Sequence, residues 1–254
     1  MEPVLPQFSF AFQPIINVET SSIISFEALV RGIDNSPAWK VFDQVHEGNK
    51  YYFDEVLRLK AIPLAARLGI GCNLNLNFLP RSLEVSKSAI SSTLEMAEHS
   101  GIPIHQITIE ITESEIINNV GWFIEAINIH RSSGLNVAID DFGAGYSGLN
   151  LLAEFQPDSI KIDMSLVRDI HKHGPRQAIV RGIICTCQDL GIDIIAEGVE
   201  NNEEYQWCHE EGINLFQGYF FAKPCFEQLP LAFFPDSSNL ISYMRPLFPE
   251  RLSV

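Results

Sequence analysis

Residues 136–149 read NVAIDDFGAGYSGL: a short apolar run, two adjacent acids, then a loop with glycines at 143, 145 and 148. Val137, Ala138 and Ile139 have the texture of a buried strand. Neighbouring side chains on a regular strand point to opposite faces, so Asp140 and Asp141 can serve one site only if the strand ends there and the backbone turns. The glycines permit that turn. Taken alone, the segment reads at least as readily as a strand with an Asp-rich turn as it does as a metal site. The rest of the chain has to decide.

Outward from this segment, apolar runs alternate with helical ones. Strands are predicted at 8–16 (FSFAFQPII), 23–30, 71–77 (GCNLNLN), 107–111, 136–140, 159–162, 193–196 and 214–217. Helices are predicted at 54–68, with Pro63 kinking or splitting it, and at 88–99, 120–131, 147–155, 177–190, 201–211 and 226–234. Asn17 to Ser22 is all that separates the first two strands, too little for a parallel crossover, so that pair is antiparallel. The remaining strands, separated by helices, call for a parallel sheet with right-handed crossovers. Eight strands in 254 residues fit a closed barrel better than an open doubly wound sheet. The expectation is an α/β protein, a (β/α)8 TIM-like barrel with one antiparallel strand. It forms one domain over residues 1–254, with 226–254 as C-terminal helix and tail. No glycine-rich phosphate loop of the P-loop or dinucleotide type is present, which also counts against the open nucleotide-binding folds.

Composition narrows the function classes. With 46% hydrophobic residues the chain can bury a full core. Its 32 acids against 17 bases, net −15, argue against general attraction to nucleic acid or to an anionic membrane. An anionic ligand would need local help from metal ions or a few placed bases. The five cysteines show no zinc-ligand spacing and read as reduced thiols. Neither a signal peptide nor a spanning segment is visible in the opening MEPVLPQF, so a cytoplasmic location without direct membrane insertion is expected.

In barrels of this kind the active-site groups sit where strands end, at the C-terminal face. The residues near the ends of the proposed strands are Glu27, Asn77, Glu110, Asp140 with Asp141, Lys161, Glu197 and Gln217. The strand interior should be apolar, and a buried acid there costs several kcal/mol unless paired or metal-bound. Carboxylates and an amide oxygen, without His or Cys, favour magnesium or manganese over zinc. Five acids exceed what one magnesium ion draws from protein, so two ions are expected, an arrangement that serves phosphoryl transfer. The seven histidines read as surface or structural residues.

These motifs resemble the EAL-domain cyclic di-GMP phosphodiesterases from about Phe8 to Pro224. The signature triplet is Glu27-Ala28-Leu29, inside FEALVRG. The others are QPI at 13–15, NFLP at 77–80, EITE at 110–113, DDFGAGYSGL at 140–149, IKID at 160–163, EGVE at 197–200 and QGYFFAKP at 217–224. The resemblance implies hydrolysis of cyclic di-GMP to linear pGpG, in a homodimer, with Mg2+ or Mn2+ as cofactor. Calcium, with its longer bonds, is expected to bind and inhibit. By the same resemblance Glu27, Asn77, Glu110, Asp140, Asp141 and Glu197 are metal ligands, and Asp140 bridges two ions. Lys161 lies beside the nucleophilic water, and Glu27, Glu197 and Gln217 share the catalytic site. Glu113 orients the loop after the two aspartates. Gln13, Arg31, Asp163 and Glu200 are the implied substrate contacts. Ala144 and Gly148 depart from the usual threonine and serine of the loop. Asn75 lies one pleat repeat before Asn77 and faces the same way, so either can supply the amide ligand. A non-catalytic module that binds cyclic di-GMP or a protein is the competing reading. Such relatives usually have lost metal ligands or the lysine, and this chain keeps them all.

Overall fold

The structure is a computed structural model that describes residues 5–112, 120–145 and 148–235. Its strands are β1 (Phe8–Asn17), β2 (Ser22–Gly32), β3 (Asn73–Phe78), β4 (Ile107–Thr112), β5 (Asn136–Phe142), β6 (Ser159–Ile162), β7 (Asp193–Ala196), β8 (Leu215–Phe216) and β9 (Cys225–Phe226). Between them run α1 (Ala38–Phe42), α2 (Lys50–Arg67), α3 (Ser82–Val85), α4 (Ala89–His99), α5 (Val120–Arg131), α6 (Gly148–Glu154), α7 (Met164–Val167), α8 (Gly174–Leu190) and α9 (Asn202–Glu210).

Strands β2 to β8 pair in parallel in chain order, and β1 closes the ring by pairing antiparallel with both β2 and β8. The result is the expected (β/α)8-type barrel with one antiparallel strand. Outside the ring, β9 adds to β1 at Ala11 and Phe12. The helix expected at 226–234 does not form. The chain enters β9, Glu227 takes a left-handed φ of 50°, and no helix is present up to residue 235. Proline at 224, 230 and 235 deprives this segment of backbone donors, which leaves β-pairing and irregular chain as its options. The rest of the expected tail, 236–254, lies outside the described residues.

Pro63 neither ends nor splits α2, which runs through to Arg67. Ala61, Ile62, Leu64 and Ala65 are buried on both sides of it, so tertiary packing holds the turn that the missing N–H weakens.

Strand β3, NLNLNF, shows why the barrel interior is not apolar as expected. Asn75 hydrogen-bonds Ser25 and Glu110 on neighbouring strands, so the odd-numbered residues face inward. Leu74, Leu76 and Phe78 therefore face the helices, and all three are buried. In β4, Ile107, Ile109 and Ile111 likewise leave Thr108, Glu110 and Thr112 on the other face. The hydrophobic layer between barrel and helices carries the fold, and the upper barrel interior is free to hold charge. Among the described residues no helix is long and apolar enough to cross a membrane.

Candidate metal centre and active site

Lys161 in β6 is almost fully buried, and its Nζ lies among four carboxylates. It is 2.6 Å from Glu197 Oε1, 3.0 Å from Glu110 Oε1, 3.0 Å from Asp140 Oδ1 and 3.2 Å from Glu27 Oε2. The Asp140 contact is an ion pair without hydrogen-bond alignment, and Oδ1 has no hydrogen-bond partner among the described residues. Each acid comes from a different strand or strand end. Glu27 is where β2 stops pairing with β3, Glu110 and Asp140 lie inside β4 and β5, and Glu197 follows directly on β7.

The two aspartates reach one site differently from the expected strand end. Strand β5 continues through Phe142, which pairs with Ile162, but its register shifts between Ile139 and Phe142. Asp141 sits at φ 54° inside that irregularity. A left-handed residue reverses the alternation locally, so both side chains can address the barrel mouth. Asp140, Asp141 and Glu197 each offer an oxygen within 4.8 Å of the others, as do Glu27, Glu110 and Asp140. Asp140 belongs to both groups.

Amides hold these acids. Gln217, just after β8, donates from Nε2 to Glu27 Oε2 at 2.7 Å, and Asn77 donates from Nδ2 to Glu27 Oε1 at 3.3 Å. Asn75 spends both ends of its amide, accepting from Ser25 Oγ and donating to Glu110 Oε1 at 2.8 Å. It therefore braces Glu110, whereas Asn77, exposed at the mouth with its nitrogen turned to Glu27, has its oxygen to offer a cation. Gln13, the register partner of Glu27, donates to the Ala222 carbonyl at 3.1 Å and faces Gln217 at 3.5 Å.

Burial and crowding set the electrostatics. Burial, reinforced by Glu27 and Asp140 against the relief from Lys161, pushes Glu110 up to about 8. Burial and then the Asp140 and Asp163 charges raise Asp141 to about 6. Glu197 is likewise carried well above the usual carboxylate range by burial, in spite of Lys161. For Glu27 burial works upward, but Lys161 and the bonds from Gln217 and Asn77 together hold it below its ordinary value. Burial disfavours the Lys161 charge, yet Asp140, Glu110, Glu197 and Glu27 more than offset it and hold the ammonium well above its usual value.

The model of the EAL domain matches residues 5–224. The chain belongs to the EAL family. BluF of Escherichia coli (strain K12), a blue light- and temperature-regulated antirepressor, is 40% identical over 228 residues, 89% of this chain and 57% of that protein. The cyclic di-GMP phosphodiesterase PdeR of the same organism is 37% identical over 156 residues, 61% of this chain and 23% of that protein. The chain thus spans less than two thirds of either relative. Among solved structures, a standalone versatile EAL protein from Vibrio cholerae O395 in its c-di-GMP-bound form superposes with TM-score 0.86 at 45% identity, covering 91% of this chain and 98% of that one. BlrP1 of Klebsiella pneumoniae in a manganese/cy-diGMP complex at pH 6 gives TM-score 0.84 at 41% identity, covering 90% and 58%.

The donor set of this EAL domain fits divalent cations. All the donors are oxygens, and among the described residues Glu110 Oε2 and Gln217 Oε1 are buried without a hydrogen-bond partner. Buried polar atoms are rarely left so unless something else satisfies them. Fully ionised, the five carboxylates and the one ammonium carry −4, the charge that two divalent cations balance.

Other expected site residues lie at the rim. Arg31 borders a cavity of about 510 Å3 beside Leu29 and Asn77, and donates to the Val30 carbonyl. Asp163 caps α7 by accepting the Ser165 N–H at 3.0 Å. Glu200 is exposed and paired with Arg168 at 2.5 Å. Glu113 lies outside the described residues. Ser25 was not singled out in the sequence, although it stands two residues before Glu27 on the same strand face.

Proposed function

We propose that this EAL domain is a phosphodiesterase that opens cyclic di-GMP to linear pGpG with two divalent cations, Mg2+ or Mn2+. One observation carries the reading: the carboxylates of Glu27, Glu110, Asp140, Asp141 and Glu197 gather around the single ammonium of Lys161, with Asn77 on Glu27, an excess of negative charge that divalent cations would balance. Those six residues hold the ions. Bound there, the cations supply Lewis-acid activation of water and neutralise the phosphodiester.

The chain's own residues do the rest. Lys161 keeps an ammonium beside the reacting phosphate, where it stabilises charge that grows in the transition state. Gln217 and Asn77 fix Glu27, and Asn75 fixes Glu110, so that ligand positions need little reorganisation. Gln13, Arg31, Asp163 and Glu200 line the approach for the nucleotide, with Arg31 the cation for a phosphate oxygen. The domain works in the cytoplasm as a homodimer.

BluF gives a second reading its footing, since a relative at 40% identity is named an antirepressor. In that reading the domain binds cyclic di-GMP or a protein without cleavage. One experiment separates the two. Purified protein is mixed with cyclic di-GMP and magnesium, manganese or calcium in turn, and binding and pGpG are followed separately. Calcium takes longer bonds and more ligands, so binding with all three and cleavage with only the smaller two is expected. Binding without pGpG under any metal establishes the second reading.

A further inference from the structure

A second buried charge centre lies outside the barrel, on α2. Asp54 and Arg58 are four residues apart on a helix, and both point into the layer under the barrel wall. Arg58 is only 1% exposed. Its Nη1 is 2.5 Å from Asp54 Oδ2 and 3.3 Å from the Asn77 carbonyl, its Nε donates to Thr93 Oγ1 at 3.1 Å, and its guanidinium lies 4.5 Å from the Phe78 ring centre. Asp54 also accepts the Leu79 N–H at 3.2 Å and the Ser82 hydroxyl at 2.7 Å.

Contacts therefore fall on three consecutive residues, the carbonyl of Asn77, the ring of Phe78 and the N–H of Leu79. That is the point where β3 ends and the chain turns toward α3. Asn77 is the exposed amide whose nitrogen reaches Glu27. Its side chain is exposed and held by that long bond of 3.3 Å, so its direction depends also on its backbone, which Arg58 and Asp54 hold at the Asn77 carbonyl and the Leu79 N–H. A stability role accounts poorly for the arrangement. Buried ion pairs are often no better than apolar residues of the same volume, and Arg58 Nη2 is buried without a partner among the described residues.

We infer that Asp54 and Arg58 are positioning residues that aim Asn77 at a divalent cation, and so tune cation affinity from outside the barrel. The inference rests on the metal reading above, but its readout is cation binding and not turnover.

The test is a double-mutant cycle on Mn2+ affinity, measured by electron paramagnetic resonance on metal-free protein without nucleotide. Arg58→Met is expected to weaken Mn2+ binding by about tenfold, the low end of the range for outer-shell partners. In an Asn77→Ala background the same change should have no further effect. Arg58→Lys keeps the charge opposite Asp54 but lacks the Nε bond to Thr93 and the planar group over Phe78 that hold Nη1 on the Asn77 carbonyl, so it should restore folding without restoring affinity. Thr93→Val, which removes only the Nε acceptor, provides the same cycle in milder form if Arg58→Met does not fold. Equal losses with and without Asn77 overturn the inference, and so does unchanged affinity in folded Arg58→Met or Arg58→Lys. No Mn2+ binding by the unsubstituted protein overturns both this inference and the metal reading. Mn2+ binding without cleavage of cyclic di-GMP overturns only the catalytic reading, and the cycle then still decides for or against Arg58.

Discussion

Two buried charge centres, one inside the barrel and one behind its wall, differ in how they are balanced. Arg58 faces a single carboxylate, Asp54, and the remaining contacts of the pair are neutral: two hydroxyls, a carbonyl, a backbone N–H and an aromatic ring. Lys161 faces four carboxylates, with Asp141 as a fifth acid nearby. Burying charge is costly unless it is paired, so the first centre is balanced in net charge as the chain folds while the second is left with excess negative charge. The contrast teaches that a buried ion pair calls for no further charge where its charges match. Where they do not, the protein is folded around charge it does not itself supply.

The strongest test removes the cation from each centre. Lys161→Met should lower pGpG formation by about three orders of magnitude while binding of cyclic di-GMP is largely kept, because the ammonium acts mainly in the transition state. Without metal, losing the cation of either centre should cost about 3–5 kcal/mol, since buried carboxylate is left uncompensated. Mn2+ should then separate them: it should raise the melting temperature of Lys161→Met by more than that of the unsubstituted protein, and that of Arg58→Met by no more. Equal recovery in calorimetry would erase the distinction.

A smaller effect is expected where the walls of the charged mouth meet. A Cβ on Gly218 would lie 2.1 Å from the Val199 carbonyl oxygen, so Gly218→Ala must push apart the chain segments after β7 and β8 that carry Glu197 and Gln217. Overpacking of this kind costs about 1–3 kcal/mol. Chemical denaturation should show that loss together with weaker Mn2+ binding; a stability change with intact Mn2+ affinity would mean that the two segments do not set the site.

Protonation sharpens the same contrast more gently. Asp141, ordinarily 3.8, is raised to about 6, and Glu110, ordinarily 4.5, to about 8. The folded protein thus holds these protons more tightly than the unfolded chain. That contribution to stability is complete below about pH 4 and is lost as pH rises through about 6 and then about 8. Glu27 acts in the opposite sense, but only below its ordinary 4.5. The melting temperature of metal-free protein should therefore fall between pH 5 and pH 8.5. With saturating Mn2+ the trend should flatten or reverse, because the cation competes with the protons for the same oxygens. A metal-free melting temperature that climbs over this interval would contradict the charge excess.

The smallest effect belongs to the exposed pair of Arg181 and Glu211, joined at 2.6 Å at the surface. Arg181→Ala should leave both the melting temperature and the Mn2+ affinity essentially unchanged, since solvent already screens the pair. A larger loss would show that exposure does not separate surface pairs from the two buried centres.

Much of the site was legible from texture. A polar or acidic residue near the end of each apolar run identified Glu27, Glu110, Asp140, Lys161, Glu197 and Gln217 before any strand was paired, because strand period and barrel geometry put strand ends on one face. The helix 54–68 was legible too, and so was a signal left unused. Asp54 and Arg58 fall at the spacing of Ala61, Ile62 and Ala65, which places an acid and a base on the buried stripe. The expected helix at 226–234 failed because its apolar residues suited either structure, and the flanking prolines decided for strand and irregular chain.

The sequence by itself determined the order of the eight barrel strands, the one antiparallel strand among them and the oxygen chemistry of the site. Each of these follows from local period, connection length or residue type. Tertiary structure alone decided that β5 runs on through its aspartates with Asp141 left-handed, and that Asn75 braces Glu110 while Asn77 faces the mouth. It also decided that Glu200 pairs with Arg168 and that one lysine stands among four acids. Those outcomes depend on the register between strands far apart in the chain. A one-residue slip in register would turn the side chains to the other face, and local composition cannot encode it.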